Sequence, residues 1–428
     1  MLNYLFIHTP LIFFTQSLWR DEAFSYFLAK KNVFEIIAFS AKDFNPPIYH
    51  LILHFWLKMF GGSEITLRSL SLIFFWATLY ICFLFLQYIF KFSQKKSLVY
   101  LLLFLINPFL TYYAYESRSY SFFAFLTTSS YYFLYKKDYK KYLITLVLGF
   151  YTHYFMLFVV ISQFLFNQLL NKGRIQEIVR KIIYKSLFIF SPWVIFVLLT
   201  KDLLSAFWID RTNFKTFIML LGIVYTGFEN NVTWTSLFLI MIIAIALVKL
   251  IKKEHKYNNR LFVFLLLWGI GIPVLVAFIS LFKPIFFPRY FIFSSVGLLL
   301  LLIYGLEQMK PKARNIFLIM LFVIAVYYQK DSLEIRKKTD FQKVTKEITR
   351  MAKKNDLIFV TSELDFFTAK YYFPNKKVYI YNKTYEEIPD FVGKVLIAKT
   401  DIAPSLPFYP NRAFVLKSNG TYNIQALY

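Results

Sequence analysis

Cysteine is almost absent from this chain, which has one, Cys82, among 428 residues. A single thiol excludes a disulfide framework and a cysteine-based metal cluster, and its position inside an apolar stretch favours a packing role. Nucleotide-binding signatures are missing too, because the sequence contains no GxxxxGK[ST] loop, no GxGxxG and no Asp-x-Asp, and HExxH is also absent. These absences argue against chemistry driven by a nucleotide or a nucleotide-linked sugar.

Apolar side chains are present in excess. Hydrophobic residues make up 58% of the chain, 53 residues are Phe, and the mean hydropathy is +0.51, which is more than one water-soluble core can bury. The apolar stretches predict a polytopic α-helical membrane protein with about eleven transmembrane helices. The predicted spans are 2–18, 63–90, 97–113, 119–135, 142–152, 154–170, 186–200, 233–251, 261–282, 289–306 and 315–329. The stretch 142–152 is short, and 216–229 is apolar enough to lie on or dip into the membrane.

Basic residues outnumber acidic ones, with 49 Lys and Arg, 24 Asp and Glu and a formal net charge of +25. In a soluble chain this charge would suggest nucleic acid, but here the basic residues fall mainly in alternate short loops, so we expect a bilayer and no nucleic acid as partner. The positive-inside rule then places the basic loops and the N-terminus in the cytoplasm, and Asp21 and Asp43 outside. The basic set comprises Lys91, Lys95, Lys96, Lys136, Lys137, Lys140, Lys141, Lys172, Arg174, Arg180, Lys181, Lys185, Lys252, Lys253, Lys256, Arg260, Lys310, Lys312 and Arg314.

Two parts of the chain read as lying outside the spans. Residues 330–428, after a transmembrane part of 1–329, predict a small extracytoplasmic α/β domain with a partly parallel sheet. Its predicted elements are a helix over 340–353 and strands at 357–360, 378–381, 395–397 and 413–416. The first external loop, 19–62, carries apolar faces at helical spacing at 34–39 and 48–56, which predict two helices lying on the outer leaflet.

The charged groups on the predicted outer side are the main functional signal, because ionisable residues in or beside a bilayer are costly to place there. Carboxylates can deprotonate a hydroxyl or hold a divalent cation, whereas Arg and Lys can hold a phosphate. The mixture therefore suits a phosphate-containing substrate at the outer leaflet. The set is Arg20, Asp21, Glu22, Asp43, His54, Lys58, Glu64, Arg68, Glu116, Arg118, His153, Lys283 and Arg289.

Five motifs, in order, resemble the GT-C glycosyltransferases, especially bacterial relatives of protein O-mannosyltransferases and aminoarabinose transferases. The resemblance covers roughly residues 15 to 305, and the tail is similar to the small external domain of many relatives. The motifs are Asp21-Glu22 with Asp43-x-x-Pro46-Pro47-x-Tyr49; Phe60-Gly61-Gly62-Ser63-Glu64 with Arg68; Asn107-Pro108 before Tyr115-Glu116-Ser117-Arg118-Ser119-Tyr120; Tyr151-Thr152-His153-Tyr154; and Pro288-Arg289-Tyr290.

The resemblance implies transfer of a sugar from a polyprenyl-phosphate carrier to an acceptor hydroxyl on the extracytoplasmic side of a bacterial inner (plasma) membrane, with inversion. It makes Asp21 the base and places Asp43 with it in the catalytic site, where Asp43 could orient the cations, bind the acceptor or hold a metal. The acceptor could be a lipid, a glycan or a protein. Donor phosphate would be bound by Arg118, Arg289, Lys58 and His54, with Glu22, Glu116, His153, Tyr49 and Tyr120 in support. Relatives differ in their need for a divalent metal ion, which Asp21, Asp43 and Glu116 would hold if it is present.

Other interpretations of these residues remain open at this stage. Asp21 could cap the following helix or pair with Arg20, His153 could be a packing residue, and Arg68 could anchor to lipid headgroups. A polytopic lipid or sugar transporter or flippase would use the same charges along a translocation path, but that model predicts inverted repeats, which the sequence does not show. A scaffold whose external domain binds a partner is a third possibility. Acceptor docking by residues 330–428 is a hypothesis.

Overall fold

The computed structural model describes residues 8–200, 209–252 and 257–428. It is mainly α-helical, with a small five-stranded sheet near the C-terminus. Its helices are Ile12–Thr15, Arg20–Ala29, Val33–Lys42, Ile48–Phe60, Glu64–Leu84, Gln94–Leu105, Pro108–Ala114, Tyr120–Lys136, Tyr139–Phe150, Met156–Leu170, Gly173–Thr200, Phe214–Thr226, Thr233–Ile251, Asn259–Leu266, Ile272–Ile279, Ile292–Glu307, Pro311–Ile335, Phe341–Met351 and Phe366–Tyr372.

Six of the described helical segments are long and apolar enough to cross a membrane, or seven if one bent pair is a single span. They are Glu64–Ile89, Gly173–Thr200, Thr233–Ile251, Asn259–Ile279, Pro288–Glu307 and Pro311–Ile335. Other predicted spans correspond to helices of 12 to 17 residues. The apolar stretch 216–229 corresponds to the helix Phe214–Thr226, of 13 residues. These helices identify a multi-pass membrane protein.

Several predicted boundaries differ from those in the structure. The stretch 97–113 is broken into two helices bent by 73°, because Pro108 disfavours helical backbone at Asn107, which is extended and caps the second helix through Leu110 N–H. In the first predicted span, residues 2–7 lie outside the described part, and the described α-helix ends at Thr15. Lys253 and Lys256 also lie outside the described residues.

Two helices extend beyond their predicted spans. The basic stretch from Arg174 to Lys185, predicted as a loop, belongs to the helix Gly173–Thr200, where Glu177 and Lys181 pair at 2.6 Å one turn apart. A helix satisfies its own backbone hydrogen bonds, so it can continue from the apolar stretch into a charged one. For the same reason the helix Pro311–Ile335 runs through the predicted domain boundary at 329/330.

The helix Ile292–Glu307 lies at the centre of the bundle, with all of its residues buried. Gly297 lets it approach Trp268, because a Cβ at Gly297 would lie 2.6 Å from the indole. The indole stacks on Tyr131 with ring centroids 4.2 Å apart. This central helix follows directly on the 3-10 turn Pro288–Phe291, so the position of that turn is fixed by the core of the protein.

The C-terminal sheet contains β1 (Leu357–Val360), β2 (Val378–Tyr381), β3 (Ile402–Ala403), β4 (Ala413–Leu416) and β5 (Tyr422–Gln425). Their order in the sheet is β3-β2-β1-β4-β5. The first four strands are parallel, and β5 is antiparallel to β4. The predicted helix and three predicted strands are therefore confirmed. The strand predicted at 395–397 is wrong: after Gly393, in the left-handed region at φ +82°, Lys394–Leu396 form a 3-10 turn instead.

The C-terminal domain shares a hydrophobic core with the helix Arg20–Ala29. Ala23, Phe24 and Leu28 of that helix belong to the same buried cluster as residues of the sheet and of the helix Phe366–Tyr372. The ring of Phe24 packs edge-on against Phe367, with centroids 5.6 Å apart. The C-terminal domain therefore packs directly against the first loop.

Candidate active site

Asp21 lies in the first turn of the helix Arg20–Ala29, where the helix dipole favours a negative charge. Its Oδ2 accepts a hydrogen bond from Arg289 Nη1 at 3.0 Å, and its Oδ1 lies 3.6 Å from Arg20 Nε. The pairing with Arg20 is therefore observed, whereas the cap position of the helix is held by Trp19 and Asp21 follows it inside the first turn. The closer partner, however, comes from a turn 268 residues away.

Three guanidinium groups surround this carboxylate. Arg118 Nη1 lies 3.4 Å both from the main-chain oxygen of Asp21 and from Ser25 Oγ. Burial opposes ionisation of the carboxyl, but Arg118, Arg289 and Arg20 outweigh it and hold its pKa below the usual range. At neutral pH the group is a carboxylate facing cations on several sides.

Arg289 is fixed by its surroundings. It belongs to the 3-10 turn Pro288–Phe291, and its guanidinium carbon lies 4.6 Å from the ring centroid of Phe287 and 5.8 Å from that of Tyr120. Tyr120 is buried and also lies 6.0 Å from the guanidinium carbon of Arg118. The two arginines predicted to bind phosphate are thus brought together within about 6 Å of the same aromatic ring. Such a pair suits an anion with several oxygen atoms.

His153 joins this cluster as a neutral ring. Its Nδ1 accepts a hydrogen bond from the Phe155 N–H at 3.1 Å, so the proton is carried by Nε2. The ring stacks on Phe123 with centroids 5.0 Å apart. Burial and the charges of Arg118 and Arg289 lower the pKa of His153 to about 3. The residue can therefore donate a hydrogen bond from Nε2 but carries no charge at neutral pH.

Glu22, next in sequence to Asp21, is engaged in a buried ion network. It accepts two hydrogen bonds from Arg68, both at 2.8 Å, one from Lys338 Nζ at 2.7 Å and one from the Ser117 N–H at 3.0 Å. Glu22 and Arg68 are both fully buried. Burial opposes the charge, yet Arg68 and Lys338 hold the pKa of Glu22 far below its usual range.

This network assigns Arg68 to structure rather than to lipid headgroups. Its guanidinium also donates to the main-chain oxygens of Phe14, Gln16 and Ser17, which lead into the Asp21 helix. Because Ser117 belongs to the loop that carries Arg118, Glu22 holds that loop beside the same helix. Glu22 therefore connects the helix Arg20–Ala29 to the loop of Arg118 through hydrogen bonds to Arg68 and to the Ser117 N–H.

Glu116 is the unusual group of the cluster. Its side chain is 1% exposed, and within the described part of the chain neither carboxyl oxygen has a hydrogen-bond partner. Burial raises the pKa of its carboxyl to about 7, with the charge of Lys338 acting against this rise and that of Glu22 adding to it. Its pKa and that of Asp21 are thus shifted in opposite directions.

The remaining predicted site residues contact neither the Asp21 carboxylate nor the two guanidinium groups through a described hydrogen bond. Asp43 ends the helix Val33–Lys42 and accepts a hydrogen bond from Asn45 Nδ2 at 2.6 Å. His54 Nδ1 lies 2.8 Å from the carbonyl oxygen of Ala29, so the imidazole contacts the C-terminal end of the Asp21 helix. Lys58 is exposed, with Nζ 5.9 Å from the ring centroid of Phe55. Tyr49 is buried with its hydroxyl 3.4 Å from Ser117 Oγ.

Two further residues near the site were not predicted. Lys338 reaches Glu22 from 316 residues away, and no motif marks it. His50 is buried beside Phe24, with ring centroids 6.5 Å apart, and burial together with the charge of Arg118 lowers its pKa to about 3. His50 lies one turn before His54 on the buried side of the helix Ile48–Phe60, and this spacing could have identified it from the sequence.

The carboxylates proposed as metal ligands do not form a cluster. Among the described residues, no group of three or more His, Cys, Asp or Glu side chains is placed to hold a metal ion. Asp21 is ion-paired with arginine, and Asp43 is bound within its own loop. The predicted set of Asp21, Asp43 and Glu116 is thus not assembled as one site.

Comparison with known proteins finds no matching family model and no matching curated protein. Solved structures, in contrast, match over nearly the whole chain. Two are crystal structures of ArnT from Cupriavidus metallidurans, one in the apo state with a TM-score of 0.66 and one bound to undecaprenyl phosphate with a TM-score of 0.63. In each, 11% of residues are identical, and the match covers 97% of this chain and 93% of ArnT. The chain therefore has the GT-C fold of ArnT, as its loop motifs predict.

Proposed function

We propose that the protein is a membrane glycosyltransferase that moves a sugar from a polyprenyl-phosphate carrier to an acceptor hydroxyl on the extracytoplasmic side, with inversion at the anomeric carbon. The observation that carries this proposal is the Asp21 carboxylate paired with Arg289 at 3.0 Å beside Arg118. A base and two phosphate-binding groups then lie within one cluster. The basic loops of the sequence support the assignment of sides.

The donor class is supported from two directions. One ArnT structure of the same fold binds undecaprenyl phosphate, and the guanidinium groups of Arg118 and Arg289 offer the paired donors that a phosphate monoester accepts. In the proposed complex, the donor phosphate takes the place of Asp21 as the anion bound to Arg289. The displaced carboxylate is then available to the acceptor.

The proposed reaction is a single displacement. The acceptor oxygen attacks the anomeric carbon as its proton passes to Asp21, while the bond from that carbon to the phosphate oxygen breaks and the electron pair leaves on the carrier phosphate. The leaving group needs charge stabilisation rather than a proton, which Arg118 and Arg289 supply. His153 contributes a neutral N–H at the edge of the same cluster. We assign Glu22 to positioning the loop of Arg118.

The decisive experiment measures release of free polyprenyl phosphate from synthetic polyprenyl-phosphate sugars by purified protein, with membrane extract as acceptor source. We expect Asp21→Asn to lower turnover by roughly 10²-fold to 10⁴-fold, as removal of a general base does. Asp390→Asn, at an exposed carboxylate of the C-terminal domain, is the matched control and should be fully active.

Two results would contradict the proposal. A folded Asp21→Asn protein with wild-type turnover would exclude the base. Movement of the lipid-linked sugar across a vesicle membrane without release of polyprenyl phosphate would favour the transporter alternative instead. Varying the carrier-linked sugar in the same assay identifies whether a hexose or a pentose is transferred.

A further inference from the structure

A cavity of about 380 Å³ opens next to the turn that carries Arg289. One wall is formed by Phe286, Phe287 and Pro288, and the opposite wall by the chain from Ile209 to Thr216 together with the helix Phe214–Thr226. Its volume lies in the range of small-molecule sites. Because Phe287 and Pro288 immediately precede Arg289, and Phe287 packs against its guanidinium, the cavity lies directly beside the proposed phosphate site.

The two walls are fixed to each other through one buried residue, Ser280. Thr212 donates hydrogen bonds to the main-chain oxygens of Ser280 and Ala277, at 3.4 Å from its N–H and 2.7 Å from its hydroxyl. Ser280 Oγ in turn accepts the N–H groups of Ile285 and Phe286, both at 3.1 Å. A cavity whose sides share hydrogen bonds is held open before any ligand arrives, which reduces the entropy lost on binding.

The lining suits a neutral polyhydroxylated ring. Met219, Ile223 and Phe286 are buried and form an apolar base. The exposed rim carries two acids, Asp210 and Glu229, and two bases, Arg211 and Lys215, so their formal charges cancel. A phosphate would require net positive charge, as at the Arg118–Arg289 pair. A sugar instead presents hydroxyls to a mixed set of donors and acceptors and a C–H face to apolar side chains.

Glu229 and Asp210 lie close enough to influence each other. Partial burial and the neighbouring Asp210 carboxylate raise the pKa of Glu229. Both residues line the cavity, and each carboxylate can accept a hydrogen bond from an O–H group of a ligand. The side chains of Asn213 and Thr216, in contrast, are used in capping the helix Phe214–Thr226.

We infer that this cavity is a subsite for a neutral sugar ring, contributed either by the donor lipid or by the acceptor. The inference rests on the proposed function, because it places the ring beside the phosphate-binding arginines. It assigns a substrate role to described residues between 209 and 230, a part of the chain in which the sequence motifs predict no function.

The test uses two variants of the full-length protein. Asp210→Asn with Glu229→Gln removes the carboxylates at nearly constant shape, and Asn230→Trp fills the mouth from an exposed position. Asn375→Trp, in an exposed loop of the C-terminal domain, is the matched control. Affinities are measured in nanodiscs for undecaprenyl phosphate and for undecaprenyl-phosphate monosaccharides, and the KM for acceptor is measured with membrane extract.

If the cavity holds the donor sugar, both cavity variants bind bare undecaprenyl phosphate normally but bind the sugar-bearing lipid about tenfold or more weakly. The double variant replaces hydrogen bonds to charged groups by weaker neutral ones, and the Trp variant excludes the ring. If it holds the acceptor sugar, both donor affinities stay unchanged and the KM for acceptor rises by a similar factor. Wild-type values for all three quantities in both variants overturn the inference. Failure of the wild-type protein to bind undecaprenyl phosphate counts against the proposed function instead.

Discussion

Glu116→Gln should make the protein more stable at alkaline pH and leave its stability at pH 5 nearly unchanged. The carboxyl of Glu116 is buried, has no hydrogen-bond partner in the described chain and has a pKa raised from 4.5 to about 7. Between these two values the folded protein retains a proton that the unfolded chain releases. Stability therefore falls as pH rises through this window and levels off above it.

The size of the effect follows from the shift. Each pKa unit corresponds to about 1.4 kcal/mol, so ionisation of Glu116 lowers the free energy of unfolding by about 3 kcal/mol at pH 8. The amide of the E116Q variant is neutral at every pH and avoids this loss. His50 and His153, whose pKa values are lowered to about 3, titrate in the opposite sense below pH 6.5, but they are common to both proteins and cancel in the difference.

The measurement is the difference in thermal stability between variant and wild type in detergent at pH 5, 6, 7 and 8. Glu177→Gln, at a half-exposed side chain on the helix Gly173–Thr200, is the control and should show no growing difference over this range. A stability difference for Glu116→Gln that does not vary with pH, or a variant less stable than wild type at pH 8, would refute the reasoning. Either result would mean that Glu116 is ionised and satisfied in the folded protein.

Three other changes test the packing and charge of the site. Glu22→Gln leaves Arg68 buried without its counter-ion and should lower the free energy of unfolding by roughly 3 to 5 kcal/mol; an unchanged melting temperature would contradict this. Arg289→Ala removes a charged donor and should weaken undecaprenyl phosphate binding by roughly tenfold to a hundredfold; titration in nanodiscs with equal affinity would exclude the role. At Gly393 the backbone has φ +82°, and a Cβ there would lie 2.4 Å from the Phe24 ring. Gly393→Ala should therefore lower the free energy of unfolding by about 1 kcal/mol or more and reduce turnover. A wild-type melting temperature and rate would argue against the shared core.

The gathering of Asp21, Arg118 and Arg289 could be predicted from the sequence. Alternation of basic and non-basic loops assigns each loop to one side of the membrane, and motif order identifies the loops that meet. Long apolar helices such as Thr233–Ile251 were predicted with their observed bounds, because hydropathy reports directly on the bilayer.

Loop motifs do not show which side of a helix a polar residue occupies, so the contacts of such residues could not be predicted. His54 and Lys58 are one turn apart on the helix Ile48–Phe60, yet one braces Ala29 and the other is exposed. Lys338 was missed because its contact with Glu22 is set by the docking of a whole domain. The strand predicted at 395–397 failed because a short apolar run fits a single helical turn equally well.

The shared core also fixes when the site can form during synthesis. The helix bearing Asp21 is among the first parts of the chain to be made, but some of its contacts need residues made much later. The N–H of Leu18, just before this helix, donates to the hydroxyl of Tyr372, 354 residues later. At ribosomal speeds this interval is on the order of tens of seconds. Until it ends, Phe24 and Leu28 lack the residues that bury them. A chain truncated before the helix Phe366–Tyr372 should therefore be inactive, and membrane proteases should degrade it.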